Sequence, residues 1–86
     1  MARVTMRYWA AAKEAANTAE EIVSADTLAG ALDFVRGKRA GDSRFAAVLA
    51  RSSFLIDGAP AGRRAAETVT LPEGAVIEVL PAFAGG

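Results

Sequence analysis

The sequence alternates with period two near both ends and repeats every three to four residues in between. That succession limits the folds open to it more than any other feature. In residues 2–10, Val4, Met6 and Tyr8 share one face, and Thr5, Arg7 and Trp9 share the other. Alternation among β-branched and aromatic residues predicts a half-buried strand. Residues 75–81 behave likewise, with Ile77, Val79 and Pro81 on one face and Val76, Glu78 and Leu80 on the other. Between them, Leu28, Ala31, Leu32 and Val35 fall at i, i+3, i+4 and i+7, which is one apolar face of a helix. Half-buried strands and one-sided helices bury their apolar faces against each other, so the chain is predicted to be an α+β domain.

The remaining elements follow from local chemistry. The Ala-rich stretch from Ala10 to Ala16 predicts a short helical turn, with Asn17 able to take the left-handed stop. Glu20 to Ser24 reads as a second strand, and Asp26 or Thr27 as the cap of the main helix. Gly37 is placed to end that helix, beside Arg36, Lys38 and Arg39, which complement the negative end of its dipole. Gly41, Asp42 and Ser43 predict a turn and a second cap. Phe45, Val48 and Leu49 then form the stripe of a shorter helix running to about Arg51. Phe54, Leu55 and Ile56 read as a third strand, and Asp57-Gly58 as a tight turn. Residues 59–66 return as an irregular edge strand weakened by Pro60 and Gly62, and 67–74 form a loop. The first strand parallel to the last, with one main helix across a mixed sheet and a short second helix, is the β-grasp arrangement.

Composition narrows the chemistry. Eighty-six residues, 52% of them hydrophobic, make one small domain with a core, expected over 1–81 with a flexible arm at 82–86. Ten Lys and Arg balance ten Asp and Glu. Zero net charge argues against nucleic acid as a partner, since such binding needs a basic surface. With neither Cys nor His, thiolate or imidazole metal sites, Cys/His nucleophile pairs and a Ser-His-Asp triad are all excluded. The longest apolar run, from Phe45 to Ala50, is far short of the ~20 residues of a membrane span. The expectation is a soluble, cytoplasmic chain with no membrane partner, whose own side chains carry little catalytic equipment.

Three other features have ordinary explanations. Glu20-Glu21 reads as a solvated strand start rather than an acid–base pair, and Arg63-Arg64 as an exposed turn rather than a phosphate site. Residues 37–43 lack the spacing of a phosphate-binding loop.

The carboxyl end is different. Beyond the last strand only a short arm remains, spanning at most ~17 Å when extended, and it ends Ala84-Gly85-Gly86. Without a Cβ, Gly85 fits a narrow channel and Gly86 leaves its carboxylate open to attack. A carboxylate is a poor acyl donor until it is activated, for instance as an acyl-adenylate made by a separate ATP-using enzyme.

Over its whole length the sequence resembles the MoaD/ThiS family of ubiquitin-like sulfur carriers, on the branch of molybdopterin synthase small subunits. The marks are Tyr8-Trp9-Ala10 followed by Lys13-Glu14, the helix start Asp26-Thr27-Leu28, the Asp57-Gly58 turn, and above all the ending from Leu71 to Gly86. Three positions depart from the family. It often has Gly where Asn17 stands, Asp where Ala75 stands, and Pro-Pro-Val in place of Pro81-Ala82-Phe83.

The resemblance implies a ubiquitin-like fold and a carrier that is not itself an enzyme. An adenylyltransferase of the ubiquitin-activating type would use ATP on Gly86, and a sulfur donor protein would convert it to a thiocarboxylate. The molybdopterin synthase large subunit, with the catalytic side chains, would accept the tail Phe83, Ala84, Gly85 and Gly86. No cofactor would be bound permanently. The same chemistry serves thiamine thiazole and cysteine synthesis, and the extra helix at 42–51 favours the molybdopterin branch. A non-catalytic ubiquitin-like binding module and a protein-conjugating modifier are the alternatives. The outward residues of the two end strands predict a partner surface of Trp9, Leu80 and Phe83 at the root of the arm, with Arg7 and Glu78 as a cross-strand pair behind it.

Overall fold

A computed structural model describes residues 1–82 of the chain. Five strands form one mixed sheet in the order β2-β1-β5-β3-β4. They are β1 (Arg3–Tyr8), β2 (Glu20–Ser24), β3 (Ser52–Ile56), β4 (Ala59–Pro60) and β5 (Val76–Pro81). Three helices, α1 (Ala10–Ala16), α2 (Leu28–Lys38) and α3 (Ser43–Ala50), cover one face of the sheet. This is the expected α+β, ubiquitin-like β-grasp architecture. The expected helical turn after the first strand is a full helix, which makes the helices three.

β1 and β5 are the parallel pair at the centre, with Met6 opposite Ile77 and Tyr8 opposite Val79. β2 pairs antiparallel with β1, and β3 antiparallel with β5. The alternation places Val4, Met6, Tyr8, Val23, Ile77 and Val79 under the helices, each no more than 1% exposed. Leu28, Ala31, Leu32 and Val35 of α2 and Phe45, Val48 and Leu49 of α3 complete one continuous core, with Ala12 and Ala16 of α1 filling beside them. Burying each of the larger side chains contributes about 2 kcal/mol. No buried side-chain nitrogen or oxygen among the described residues lacks a hydrogen-bond partner.

The punctuation is mostly where the sequence puts it. Asn17 caps α1 in the left-handed conformation at φ 61°. Thr27 caps α2 by accepting the Gly30 N–H, and Asp42 caps α3 by accepting that of Phe45. Asp57 and Gly58, at φ 50° and 84°, make the two-residue hairpin turn that joins β3 to β4.

Two boundaries differ from expectation. α2 does not stop at Gly37 but runs to Lys38, because the side chains of Lys38 and Arg39 are both held by Glu21 and keep the last turn wound. The edge strand expected over 59–66 is only two residues long. After Pro60 the backbone leaves the ladder, and only the Ala61 N–H to Phe54 carbonyl bond continues it.

Candidate functional site

β5 determines where the carboxyl end leaves the domain. It is bonded to β1 on one side and β3 on the other, so its path is fixed along its whole length. The fixed path extends one residue further, since the Ala82 N–H donates to the Arg51 carbonyl at 3.3 Å, where α3 meets β3. β1, parallel to β5, ends at the same end of the sheet. The Trp9 N–H donates to the Val79 carbonyl, which sets Trp9 beside Leu80.

The expected reactive group, Gly86, and the expected tail residues Gly85, Ala84 and Phe83 lie outside the described residues. Trp9 and Leu80 lie within them. Trp9 is 45% exposed and Leu80 half-buried. The indole leans back over the helix-free face of the sheet, where its Nε1–H donates to Glu78 Oε1 at 3.1 Å. A shallow groove beside it is lined by Trp9, Ala10, Lys13, Glu14, Asn17 and Thr18. Ala10, immediately after the indole, has φ 49°, a conformation that costs a residue with a Cβ roughly 1–2 kcal/mol. The bend that turns Trp9 out of β1 and into α1 is therefore held against local strain.

The cross-strand ion pair between Arg7 and Glu78 is not formed. The two are opposite in register, but Arg7 Nε pairs with Glu20 Oε2 at 3.1 Å on the other neighbouring strand. Glu78 accepts from Trp9 instead. Arg7 lies between the two carboxylates and is turned to Glu20, and the Glu78 carboxylate is occupied by the indole N–H.

A second cluster escaped the reading of Glu20-Glu21 as a solvated strand start. Glu21 points to the helix side, and its side chain is 9% exposed. It accepts from Tyr8 Oη at 2.5 Å, Lys38 Nζ at 2.8 Å and Arg39 Nη1 at 2.7 Å. Arg39 also donates to the Ala16 carbonyl, and its guanidinium lies 4.7 Å from the Phe45 ring centre and 5.7 Å from that of Tyr8. One carboxylate thus ties β2 to β1 and α2, and through Arg39 to α1 and α3. Burial alone pushes the Glu21 carboxyl up, but the hydrogen bonds from Lys38, Tyr8 and Arg39 outweigh it and hold it below the usual carboxylate range. The Tyr8 phenol is raised well above its ordinary value, first by burial and then by its hydrogen bond to Glu21 and that carboxylate's charge. The sequence signal was the alternation itself, which puts Glu21 on the same face as Val23.

No protein-family model and no curated protein sequence matches the chain. Solved structures do. The small archaeal modifier protein 1 of Methanosarcina acetivorans superposes with a TM-score of 0.83 at 22% identity, over 100% of this chain and 98% of its own. SAMP1 of Haloferax volcanii gives 0.75 at 19% identity, over 98% and 99%. The complex of subunits 1 and 2 of the molybdopterin-converting factor of Helicobacter pylori gives 0.68 at 18% identity, over 98% and 99%. These likenesses span essentially the whole chain on both sides, and they show that it has the ubiquitin-like β-grasp fold shared by the small archaeal modifiers and a molybdopterin-converting factor.

Proposed function

We propose that the chain is a sulfur carrier for molybdopterin synthesis and that the Gly86 carboxylate is its reactive group. The carboxylate attacks the α-phosphorus of ATP within a ubiquitin-activating-type adenylyltransferase, and pyrophosphate leaves. Sulfur at the sulfide level, supplied by a donor protein, then displaces AMP and leaves a thiocarboxylate. The loaded end enters a molybdopterin synthase large subunit, which provides the catalytic side chains. The protein itself is a carrier subunit and holds no permanent cofactor.

The observation that carries this reading is the root of the arm. β5 and the Ala82–Arg51 bond fix the chain up to residue 82, beside an exposed indole. Phe83, Ala84, Gly85 and Gly86 follow, with a reach of ~14 Å from that fixed point. A helix α3 at the position that favours the molybdopterin branch adds support, as does the fold shared with a structure of the two converting-factor subunits in complex. No helix among the described residues is long and apolar enough to cross a membrane.

The fold shared with small archaeal modifier proteins favours a second reading, a modifier joined through Gly86 to lysines of other proteins. Both readings need the same activation and differ in the acceptor. Incubating the full chain with an adenylyltransferase, ATP and a sulfur donor should shift its intact mass by the exchange of one oxygen for one sulfur. Adding the large subunit and pterin precursor should reverse that shift. A chain that stays at its original mass throughout rejects activation at Gly86 and both readings with it. Cell proteins whose lysines carry residues 65–86 after cleavage at Arg64, joined through Gly86, without pterin sulfuration, select the modifier.

A further inference from the structure

The two edges of the sheet are treated very differently. β4 is two residues long and contains Pro60, so it offers almost no ladder to another chain. β2 is five residues long, with no proline and no lysine, and Ile22 at its centre is 56% exposed. Its bonds to β1 run through Ala19 and Ala25 at the ends, and hence through Glu21 and Val23 between them. The amide and carbonyl groups of Glu20, Ile22 and Ser24 therefore point away from the sheet. Of these, the Glu20 carbonyl accepts from Thr18 Oγ1.

The helix above this edge exposes a large apolar side chain as well. Lys38 reaches Glu21 of β2, so the flank of α2 carrying Lys38 lies over β2. Phe34 is one turn earlier on that flank and is 47% exposed. Ile22 and Phe34 are two of only four large hydrophobic side chains exposed among the described residues.

We propose that β2 is a self-association edge, where a second copy of this chain adds antiparallel to β2 about a two-fold axis through Ile22. The strand is self-complementary in that register. Ile22 meets Ile22, and Glu20 lies opposite Ser24 rather than opposite another carboxylate. The outward amides and carbonyls fall at 20, 22 and 24, symmetric about the axis, so each finds its counterpart. On the helix side the Phe34 flanks of the two α2 helices face each other. The edge charges impose no penalty, because Glu20 is already paired with Arg7 and Glu21 with Lys38 and Arg39. The result is a ten-stranded sheet with the two β5 strands ending at opposite ends and both Trp9 residues away from the contact. This surface is independent of the carrier reading, which fails or stands on the chemistry of Gly86.

Sedimentation equilibrium of the full chain over rising concentration tests the proposal. The mass should climb from 8.9 kDa toward twice that value and stop there. The Ile22→Lys and Phe34→Asp variants should each stay at the single-chain mass, with unchanged far-UV circular dichroism, and should melt like the wild type at concentrations where it too is a single chain. The amides of Ile22 and Ser24 should gain exchange protection as the wild type is concentrated, while those of β4 should not. A wild-type mass of 8.9 kDa up to the solubility limit overturns the proposal. So does association that survives Ile22→Lys, or a monomeric chain that instead takes an extended apolar peptide along β2.

Discussion

Glu21 shows how much one carboxylate can hold in a chain this small. Its three partners come from β1 and from the end of α2, and one of them, Arg39, also rests on two aromatic rings. Replacing it by Gln removes the charge while keeping the shape, and leaves the mostly buried Arg39 without its counter-ion. We expect Glu21→Gln to cost about 2–3 kcal/mol in urea unfolding, somewhat less than breaking a fully buried pair because Lys38 is largely exposed. The pH dependence has a definite sign. The folded carboxyl titrates below its ordinary value, so its contribution is fully present above the unfolded pKa and is lost as pH falls through the folded one. The Tyr8 phenol is raised, so its contribution is present below the ordinary tyrosine range and is lost as pH rises above it. Wild-type stability should therefore drop at both extremes, and Glu21→Gln should flatten the acid limb. An acid limb unchanged in the variant would show that other carboxylates carry it. This cluster was legible in part. Alternation faced Glu21 inward, but only the crossing of α2 over β2 brings Lys38 and Arg39 to it, and crossings are not written in local pattern.

At the scale of elements, periodicity was a good guide wherever the apolar stripe itself made the contact. β1, β5 and α2 stand where their patterns put them, because their alternation or helical spacing is the face that the core selects. It was a poor guide at ends decided by side chains from elsewhere. Gly37 looked like a stop, yet it lies within α2, and the turn beyond it is held by contacts to β2. A Cβ built at Gly37 meets nothing within 4 Å, and the residue has no positive φ to protect. Gly37→Ala should consequently stabilise the domain by about 0.5–1 kcal/mol, through helix propensity and a less flexible unfolded chain. A higher urea midpoint with an unchanged slope would confirm it. A lower one would mean that the last turn of α2 needs the flexibility of glycine. The return strand failed for the opposite reason. Pro60 was read as weakening a strand, and in the fold it ends one.

For the molecule as a whole, the sheet divides its labour between a covered face and an open one. The open face carries Trp9 next to the place where β5 delivers the carboxyl end. The sequence placed Trp9 and Leu80 together because parallel neighbours with known facing can be laid side by side on paper. It could not place the Arg7–Glu20 pair, since that needed the register of β2 against β1. On the proposed carrier reading, replacing Trp9 separates docking from folding. Trp9 is 45% exposed, and among the described residues its only side-chain hydrogen bond is to Glu78, itself outside the core. Trp9→Ala should cost the fold about 1 kcal/mol, the worth of one exposed hydrogen bond and some partly covered ring. Aromatic anchors dominate interface energies, so the same change should weaken binding of the full chain to a molybdopterin synthase large subunit by ~2 kcal/mol or more, roughly thirtyfold in Kd. Titration calorimetry beside a urea melt measures both numbers on one sample. A variant that binds normally yet melts several kcal/mol earlier would make Trp9 a strut of the bend at Ala10. Normal binding with little loss of stability would move the interface elsewhere on the open face. Trp9→Phe divides the anchor further, because it keeps a ring but loses the N–H that Glu78 accepts. If the indole's orientation matters, Trp9→Phe should lie between wild type and Trp9→Ala. If only apolar area matters, it should bind like wild type.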